Sequence, residues 1–264
     1  MAVKASLLGA LMYAALASYG GAALAYLRSR EALGRALCTV ASALLLAAVC
    51  LRVGRTGHVP LQNLFEVFLC LAMVAWPVSL LCGRLLGAPV GAADAALGFL
   101  LLVPAVFVFD AAPQPLPPVL QNPLFGPHVG AYVLGYFVMF KAAVESARGL
   151  AAGWGGGAAA AARAEGTAFR LVRFGFPLLT LGLVLGSVWG KHAWGDYWNW
   201  DPKELWGLAM WLVYLTYLQF RVHTRAAFPR ANCALVLLGA LAVAATLSWV
   251  NLSLLFAGLH SYAM

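Results

Sequence analysis

The sequence predicts an all-α fold, a polytopic membrane helix bundle with about eight transmembrane helices. Of its 264 residues, 63% are hydrophobic and only 10% are charged, a composition too apolar for a soluble domain. Apolar runs of about 20 residues, the length that crosses a bilayer core, recur along the whole chain. We therefore expect one integral membrane domain over residues 1–264 that contacts membrane lipid. Despite the net charge of +8 we expect no nucleic-acid partner, because the positions of the charges matter more than their sum.

A hydropathy window of about 19 residues gives eight candidate spans. The first run could pass for a secretory signal, but it is long enough to span a bilayer, and Arg28 and Arg30 follow it directly. We expect it to be the first helix. The fourth run is the weakest, because Asp94 interrupts it and Pro104 would kink it. The spans lie near 5–27, 33–51, 64–82, 89–109, 128–147, 173–190, 203–221 and 233–257.

The basic residues predict the orientation of these spans. Twelve of the 17 Lys and Arg residues fall on the side opposite the termini, and five fall on the same side as the termini. Because cytoplasmic loops are enriched in Lys and Arg, both termini are expected on the outer side. The segment between spans six and seven then lies on the outer side as well.

Composition and residue spacing predict three further features, two in connecting segments and one in span six. The inner segment at about 148–172 is rich in Gly and Ala and is expected to be a flexible loop. The outer segment 110–128 has six prolines, which should hold it extended and place His128 at the start of span five. Gly182, Gly186 and Gly190 recur every four residues in span six, a pattern typical of close helix packing.

The most unusual stretch is WGKHAWGDYWNWDPKELW, residues 189–206, with five tryptophans, one tyrosine and five charged residues. Tryptophan and tyrosine are common at membrane interfaces, so lipid anchoring is the first explanation. An anchoring belt spreads over many helix ends, however, whereas six of the nine tryptophans here lie between residues 189 and 211. Lipid anchoring also needs no carboxylates. A large, flat, charged amphiphile suits this surface better, and heme is such a ligand.

Heme needs axial donors, and imidazole is a common one. His128 begins span five and His260 ends span eight, so both could reach the Trp-rich segment from helix ends. His58 and His192 lie on the same expected side and are alternatives. A solvated or capping role is the simpler explanation for any one of these histidines.

Four motifs resemble the WWD heme-handling superfamily, and in particular its CcsA (ResC-like) branch of cytochrome c assembly proteins. They are GHVPLQNLFE at 57–66, PHVGAYVLGY at 127–136, WGDYWNWDPKELW at 194–206 and GLHSY at 258–262, in the order of that family. The resemblance covers about residues 55–264.

This resemblance implies a heme-handling subunit of a System II cytochrome c synthase, a heme lyase in a bacterial inner membrane. Heme b would be its substrate, carried to the outer side and attached to the Cys-x-x-Cys-His motif of apocytochrome c. Further implied partners are a CcsB/ResB-like membrane subunit and a thiol-reducing protein. The resemblance makes His128 and His260 the iron ligands. The expected heme-binding residues are Trp189, Trp194, Gly195, Tyr197, Trp198, Trp200, Asp201, Pro202, Lys203, Glu204 and His223.

No acid–base pair is evident, so catalysis would be mostly proximity. Asp201 and Glu204 suit the capping of span seven, because DPKE has the pattern of a helix start. Lys191, Lys203, Arg52 or Arg55 could neutralise the heme propionates.

Two positions depart from the family pattern. Gln219 occupies the place of a histidine that serves an intramembrane heme site, and His223 lies one turn later on the same face. Phe65 replaces a tyrosine that is common in the family, while Asn63 and Glu66 remain.

Two other functions compete with the heme lyase. A CcmC-like carrier would present heme to a chaperone without forming thioethers. A b-type respiratory subunit would hold heme between paired histidines within facing spans, and this sequence has at most one such candidate.

Overall fold

The computed structural model of the chain describes residues 5–249 and confirms the all-α class. Within that range the chain forms eight α-helices, with a 3-10 turn at Pro118–Leu120 before the fifth and a π-helical turn at Ala245–Trp249 after the last. The α-helices are α1 (Leu7–Leu27), α2 (Glu31–Thr56), α3 (Leu64–Leu86), α4 (Ala92–Phe107), α5 (Phe125–Trp154), α6 (Ala158–Trp194), α7 (Pro202–His223) and α8 (Pro229–Ala244).

Within residues 5–249 each predicted span overlaps one helix, although the helices differ in how well they suit a bilayer. Helices α1, α2, α3, α5 and α6 and the segment Pro229–Ser248 are long and apolar enough to cross a membrane. Helix α4 is a shorter apolar helix of 16 residues, and α7 falls outside this group although it has 22 residues. The side on which the termini lie stays a prediction.

The chain separates into two compact units, Met1–Gln121 and Asn122–Met264. In the first unit α1 packs on α2 and α4, while α3 packs on α4 and α2, so the four helices form a closed group. The core includes Tyr19, whose hydroxyl donates to the Ala72 carbonyl at 2.8 Å. Whether the two units act as the single membrane domain expected from the sequence stays a prediction.

A buried ion pair joins several segments of the first unit. Arg52 of α2 and Glu66 of α3 are 1% and 0% exposed, and Arg52 Nε donates to Glu66 Oε1 at 2.9 Å. The same guanidinium donates to the carbonyls of Ala111 and Ala112 at 2.5 and 3.2 Å, in the proline-rich segment. The Arg52 charge is therefore compensated within the protein by Glu66, which argues against the role of propionate partner considered for it.

Asp94 lies in the first turn of α4 and does not interrupt it. Its carboxylate accepts the Gly91 N–H at 2.9 Å and the Ser79 hydroxyl at 2.7 Å. Because an acidic side chain near a helix N-terminus satisfies free N–H groups, the residue that weakened the sequence pattern supports this helix. Helix α4 also continues past Pro104 to Phe107.

In the second unit α5 and α6 form a long antiparallel hairpin, and α7 and α8 pack beside it. Glycines allow the close approach of the hairpin helices: a Cβ atom on Gly135 would lie 2.8 Å from Leu179, and one on Gly175 would lie 3.0 Å from Val138. Small residues at helix contacts are a common device in membrane bundles. The hairpin brings the start of α5 beside the end of α6.

The predicted flexible loop at about 148–172 is wrong. Helix α5 runs to Trp154 and α6 begins at Ala158, so only the glycine turn 155–157 interrupts the helices. Alanine is the best helix former, and the alanines of this stretch extend both helices. The glycine content favoured the prediction of a flexible loop, but the three consecutive glycines at 155–157 form only a tight turn between two helices.

A polar cluster ties α6, α7 and α8 together at the end of α7 distant from the Trp-rich segment. Arg221 donates to both oxygens of Glu165, from Nε at 2.6 Å and from Nη2 at 3.0 Å. Asn232 Nδ2 donates to the same carboxylate at 3.0 Å. The Arg221 guanidinium also lies 3.6 Å from the ring centroid of Phe169. These contacts compensate a carboxylate that is only 5% exposed.

Candidate functional site

The site is built around His128, in the first turn of α5. The last four residues of the proline-rich segment 110–128 form the first turn of this helix, so His128 lies at its start, as the sequence predicted. Its Nδ1 lies 2.7 Å from the carbonyl oxygen of Gly182 in α6. Because a carbonyl can only accept, Nδ1 carries the hydrogen. In the neutral ring Nε2 therefore holds the lone pair that can bind a metal ion.

Glycines of α6 make room for this imidazole. A Cβ atom on Gly186 would lie 2.4 Å from His128 Cε1 and 2.7 Å from its Nδ1. A Cβ atom on Gly182 would lie 3.0 Å from the Tyr132 ring, which contacts His128 edge-on at a centroid distance of 5.2 Å. The close packing predicted for Gly182 and Gly186 is confirmed. Gly190 instead lies against the segment that follows α6, with its nearest neighbour atom at 3.5 Å.

Trp189, the first residue of the Trp-rich segment 189–206, contacts both His128 and Trp194. Its ring stacks on the imidazole at 5.9 Å with an interplanar angle of 15°, and it meets Trp194 edge-on at 4.8 Å. Phe125 covers it from α5 at 6.0 Å. The side chain is only 1% exposed, so this tryptophan supports the histidine from within the core. The heme contact expected of Trp189 stays a prediction; the structure gives its side chain a buried position against His128.

The exposed aromatic surface comes from the segment 195–201 between α6 and α7. Tyr197 is 58% and Trp200 is 67% exposed, and Trp198 meets Trp200 edge-on at 6.0 Å. Trp200 has a φ of 56°, a left-handed conformation that is unusual for a bulky residue. Such backbone strain concentrates at functional sites. Gly195, with a φ of 92°, ends α6 and lets the chain turn into this segment.

Asp201, Pro202, Lys203 and Glu204 form the first turn of α7 and its cap. Asp201 Oδ1 accepts the Lys203 N–H at 2.9 Å, and Glu204 Oε2 accepts the N–H groups of Asn199 and Asp201 at 2.8 and 3.1 Å. This reciprocal arrangement is a capping box. The capping role predicted for Asp201 and Glu204 is confirmed, and Asp201 is buried at 5% exposure.

Other contacts fix the segment 195–201 to the end of α6. The Ser187 hydroxyl donates to the Tyr197 carbonyl at 2.9 Å, and Lys191 Nζ donates to the Gly195 carbonyl. The Lys191 ammonium also lies 5.5 Å from the Tyr197 ring centroid. Sequence reasoning missed Ser187 and Tyr132 as site residues. Ser187 belongs to none of the motifs, and Tyr132 lies in the motif at 127–136 but is placed beside His128 and Gly182 only by the packing of the helices.

The remaining histidines occupy different positions. His192 is exposed, and its Nδ1 donates to the Val188 carbonyl one turn earlier in α6. His58 belongs to the first unit, where its Nδ1 contacts the Val59 carbonyl at 3.1 Å. His223 ends α7 and is exposed, as is Gln219 one turn before it. His260, the second expected iron ligand, lies outside the described residues.

The donor and the surface fit what heme requires. His128 offers a nitrogen ligand whose other ring nitrogen donates to a carbonyl, and Tyr197 and Trp200 offer exposed aromatic surface. Trp189 and Trp194 connect the histidine with that part of the chain. Within residues 5–249 no group of three or more His, Cys, Asp or Glu side chains could hold a metal ion by itself. Iron already held in a macrocycle needs only axial donors.

The family model described as Cytochrome C assembly protein matches residues 33–257 of the chain. Among curated proteins, the chain is 32% identical to the cytochrome c biogenesis protein CcsA of Synechococcus sp. (strain CC9605), over 89% of this chain and 88% of that protein. It is 28% identical to CcsA of Synechococcus elongatus, over 94% of this chain and 92% of that protein. A CcsA of Prochlorococcus marinus (strain MIT 9303) is 31% identical over 89% and 85%. The chain therefore belongs to the family of cytochrome c assembly proteins.

Proposed function

We propose that the chain binds heme as a substrate and supports its covalent attachment to apocytochrome c during cytochrome c maturation. His128 is one axial ligand of the iron, and the exposed aromatic surface of the segment 195–201 receives the face of the macrocycle. His260 is the second ligand in this proposal. The observation that carries the proposal is the 2.7 Å contact between His128 Nδ1 and the Gly182 carbonyl, which leaves Nε2 as the ligating nitrogen. Trp189 links this histidine to Trp194.

The family and the relatives named for cytochrome c biogenesis support the reaction class. Each attachment step adds one cysteine thiol of apocytochrome c across a vinyl group of heme. A C–S bond forms and the thiol proton ends on the other vinyl carbon, so the step needs no leaving group and no net electron transfer. The chain's own residues would hold the macrocycle so that the vinyl edge meets the two thiols. Their contribution is therefore proximity and orientation.

The outer side of a bacterial inner membrane is the proposed location of the site. A CcsB/ResB-like membrane subunit and a thiol-reducing protein are the proposed partners. The reducing protein would keep both cysteines of the acceptor motif as thiols, because a disulfide cannot add to a vinyl group. Six helices suited to crossing a membrane within residues 5–249 support the integral membrane location.

Absorption spectra of the detergent-purified, reduced protein test the iron ligand. We expect the sharp bands of low-spin heme in wild type and their loss or weakening in His128→Ala. His192→Ala is the matched control, because His192 lies near the same end of the second unit, is exposed and is bonded within its own helix. An unchanged low-spin spectrum in His128→Ala would contradict the assignment.

Coexpression with an apocytochrome c and a CcsB-like subunit tests the reaction. Heme that stays on the cytochrome in a denaturing gel is covalently bound. We expect such heme with the wild-type chain and a strong decrease with His128→Ala. Heme bound to the chain without covalent transfer would instead favour a carrier of the CcmC type.

A further inference from the structure

We propose that Gly186, together with the carbonyl of Gly182, is a positioning element that fixes the tautomer and the ring plane of His128 before heme binds. This inference rests on the proposed function, because it concerns the same ligand. Close helix packing alone would explain glycines at these two positions of α6. The inference gives them a more specific role, the positioning of His128.

The contact distances show how restricted the imidazole is. The carbonyl of Gly182 lies 2.7 Å from Nδ1, and Gly186 leaves no room for a methyl group, since its Cβ would lie 2.4 Å from Cε1. Trp189 stacks parallel to one face of the ring, and Tyr132 meets the ring edge-on. The ring is therefore confined on several sides by α5 and α6, and one nitrogen is bonded to a main-chain acceptor.

This confinement has a chemical consequence at Nε2. A histidine that donates its other ring N–H to a carbonyl is a better electron donor to a metal, and its orientation is fixed. Heme binding then requires no rotation of the ring and no change of tautomer. Loss of the Nδ1–H bond should weaken iron ligation about tenfold to a hundredfold, the usual effect of removing such an outer partner. It should also shift the reduction potential of the bound iron to a more positive value.

Simple helix packing is the competing explanation for Gly186. It predicts that an added methyl group lowers stability without a specific effect on the histidine. Gly190 provides the matched control, because it lies one turn further on the same helix and its Cβ would meet no atom closer than 3.5 Å. Gly186→Ala and Gly190→Ala add the same methyl group to the same helix.

The first experiment uses heme-free protein. Nitrogen-15 NMR of labelled histidines distinguishes protonated from unprotonated ring nitrogens, and His128→Ala identifies the signals of this residue. We expect the Nδ1–H tautomer of His128 in wild type and in Gly190→Ala, and its loss in Gly186→Ala. A wild-type tautomer in Gly186→Ala would overturn the inference, whatever heme binding shows.

The second experiment removes the His128 ring, and with it the clash between that ring and a methyl group added at Gly186. A failure to fold then cannot explain the result. His128→Ala leaves a space in which free imidazole should restore the low-spin heme spectrum. We expect the same rescue in His128→Ala/Gly190→Ala, whereas His128→Ala/Gly186→Ala should need at least about tenfold more imidazole. Equal imidazole requirements in the three variants, or no rescue in any of them, would contradict a preformed space for the ring. If His128→Ala keeps the wild-type heme spectrum, the proposed function fails, and the NMR experiment still decides the role of Gly186.

Discussion

Glu204 and Asp201 cap α7 reciprocally: Glu204 Oε2 accepts the Asp201 N–H at 3.1 Å, while Asp201 accepts the N–H of the residue before Glu204. The same Glu204 oxygen accepts the Asn199 N–H at 2.8 Å. Trp200 lies between these two N–H groups. The carboxylate therefore holds the backbone on both sides of the exposed tryptophan in its left-handed conformation.

Glu204→Ala should release this backbone. We expect a loss of about 1–2 kcal/mol in the free energy of unfolding, from the lost cap and its charge-assisted hydrogen bonds. Heme binding should weaken as well, since Trp200 would no longer be held. Thermal unfolding in detergent and heme titration measure the two effects. Glu204→Gln is the control, because its amide oxygen can still accept these N–H groups; equal losses in both variants would show that the cap does not hold the segment.

Trp200 and Trp189 should respond differently to truncation. Trp200 is 67% exposed, so Trp200→Ala should change the unfolding free energy by less than about 0.5 kcal/mol. It should raise the heme dissociation constant about tenfold, through lost apolar contact with the macrocycle. Trp189 is 1% exposed, so Trp189→Ala should cost about 3–5 kcal/mol of stability. Heme binding unaffected by Trp200→Ala would remove this residue from the proposed heme surface.

Breaking the Arg52–Glu66 pair should strongly destabilise the first unit. Arg52→Met leaves a buried, unpaired carboxylate, which we expect to cost about 3–5 kcal/mol. The double variant Arg52→Met/Glu66→Gln removes that charge and should recover part of the loss. The exposed pair between Glu31 and Arg35, 3.8 Å apart, is the control, and Arg35→Ala should cost less than about 1 kcal/mol. Denaturation of the purified variants measures these differences; a double variant no more stable than Arg52→Met would contradict the stated cause.

Arg221→Lys tests the geometry of the Glu165 contact. Lysine keeps the positive charge but cannot donate two parallel hydrogen bonds to one carboxylate or stack its head group on Phe169 as the guanidinium does. We expect a loss of about 1–2 kcal/mol in unfolding free energy. Arg230→Lys, at an exposed arginine near the start of α8, should be neutral. Equal effects of the two substitutions would mean that charge alone matters at Arg221.

Features defined by a few neighbouring residues could be predicted from the sequence. The capping role of Asp201 and Glu204 follows from a local pattern, and His128 follows a proline-rich segment at a helix start. The packing role of Gly182 and Gly186 was predictable from spacing, because residues four apart share a helix face. Their partners were not, since Tyr132 and His128 lie 50 and 58 residues earlier in the chain than Gly182 and Gly186.

Features that depend on tertiary contacts were predicted less well. Trp189 reads as part of one aromatic segment, but packing against Phe125 and His128 buries it. Asp94 weakens an apolar pattern, yet Ser79 of a neighbouring helix turns it into a buried cap. The stretch 148–172 has a loop-like glycine content, but alanine propensity and the pairing of two helices make it helical.

The α5–α6 hairpin is longer than a bilayer is thick, so its length decides how far it extends into the water beside the membrane. Helix α6 has 37 residues and is therefore about 55 Å long, whereas a bilayer with its headgroups is about 40–45 Å thick. If the Trp-rich end of α6 stays at one membrane surface and the helix runs close to the bilayer normal, the helix ends beside the glycine turn at 155–157 extend about 10–15 Å beyond the other surface as a stiff stalk. Water-soluble proteins of that compartment can reach this stalk without entering the lipid.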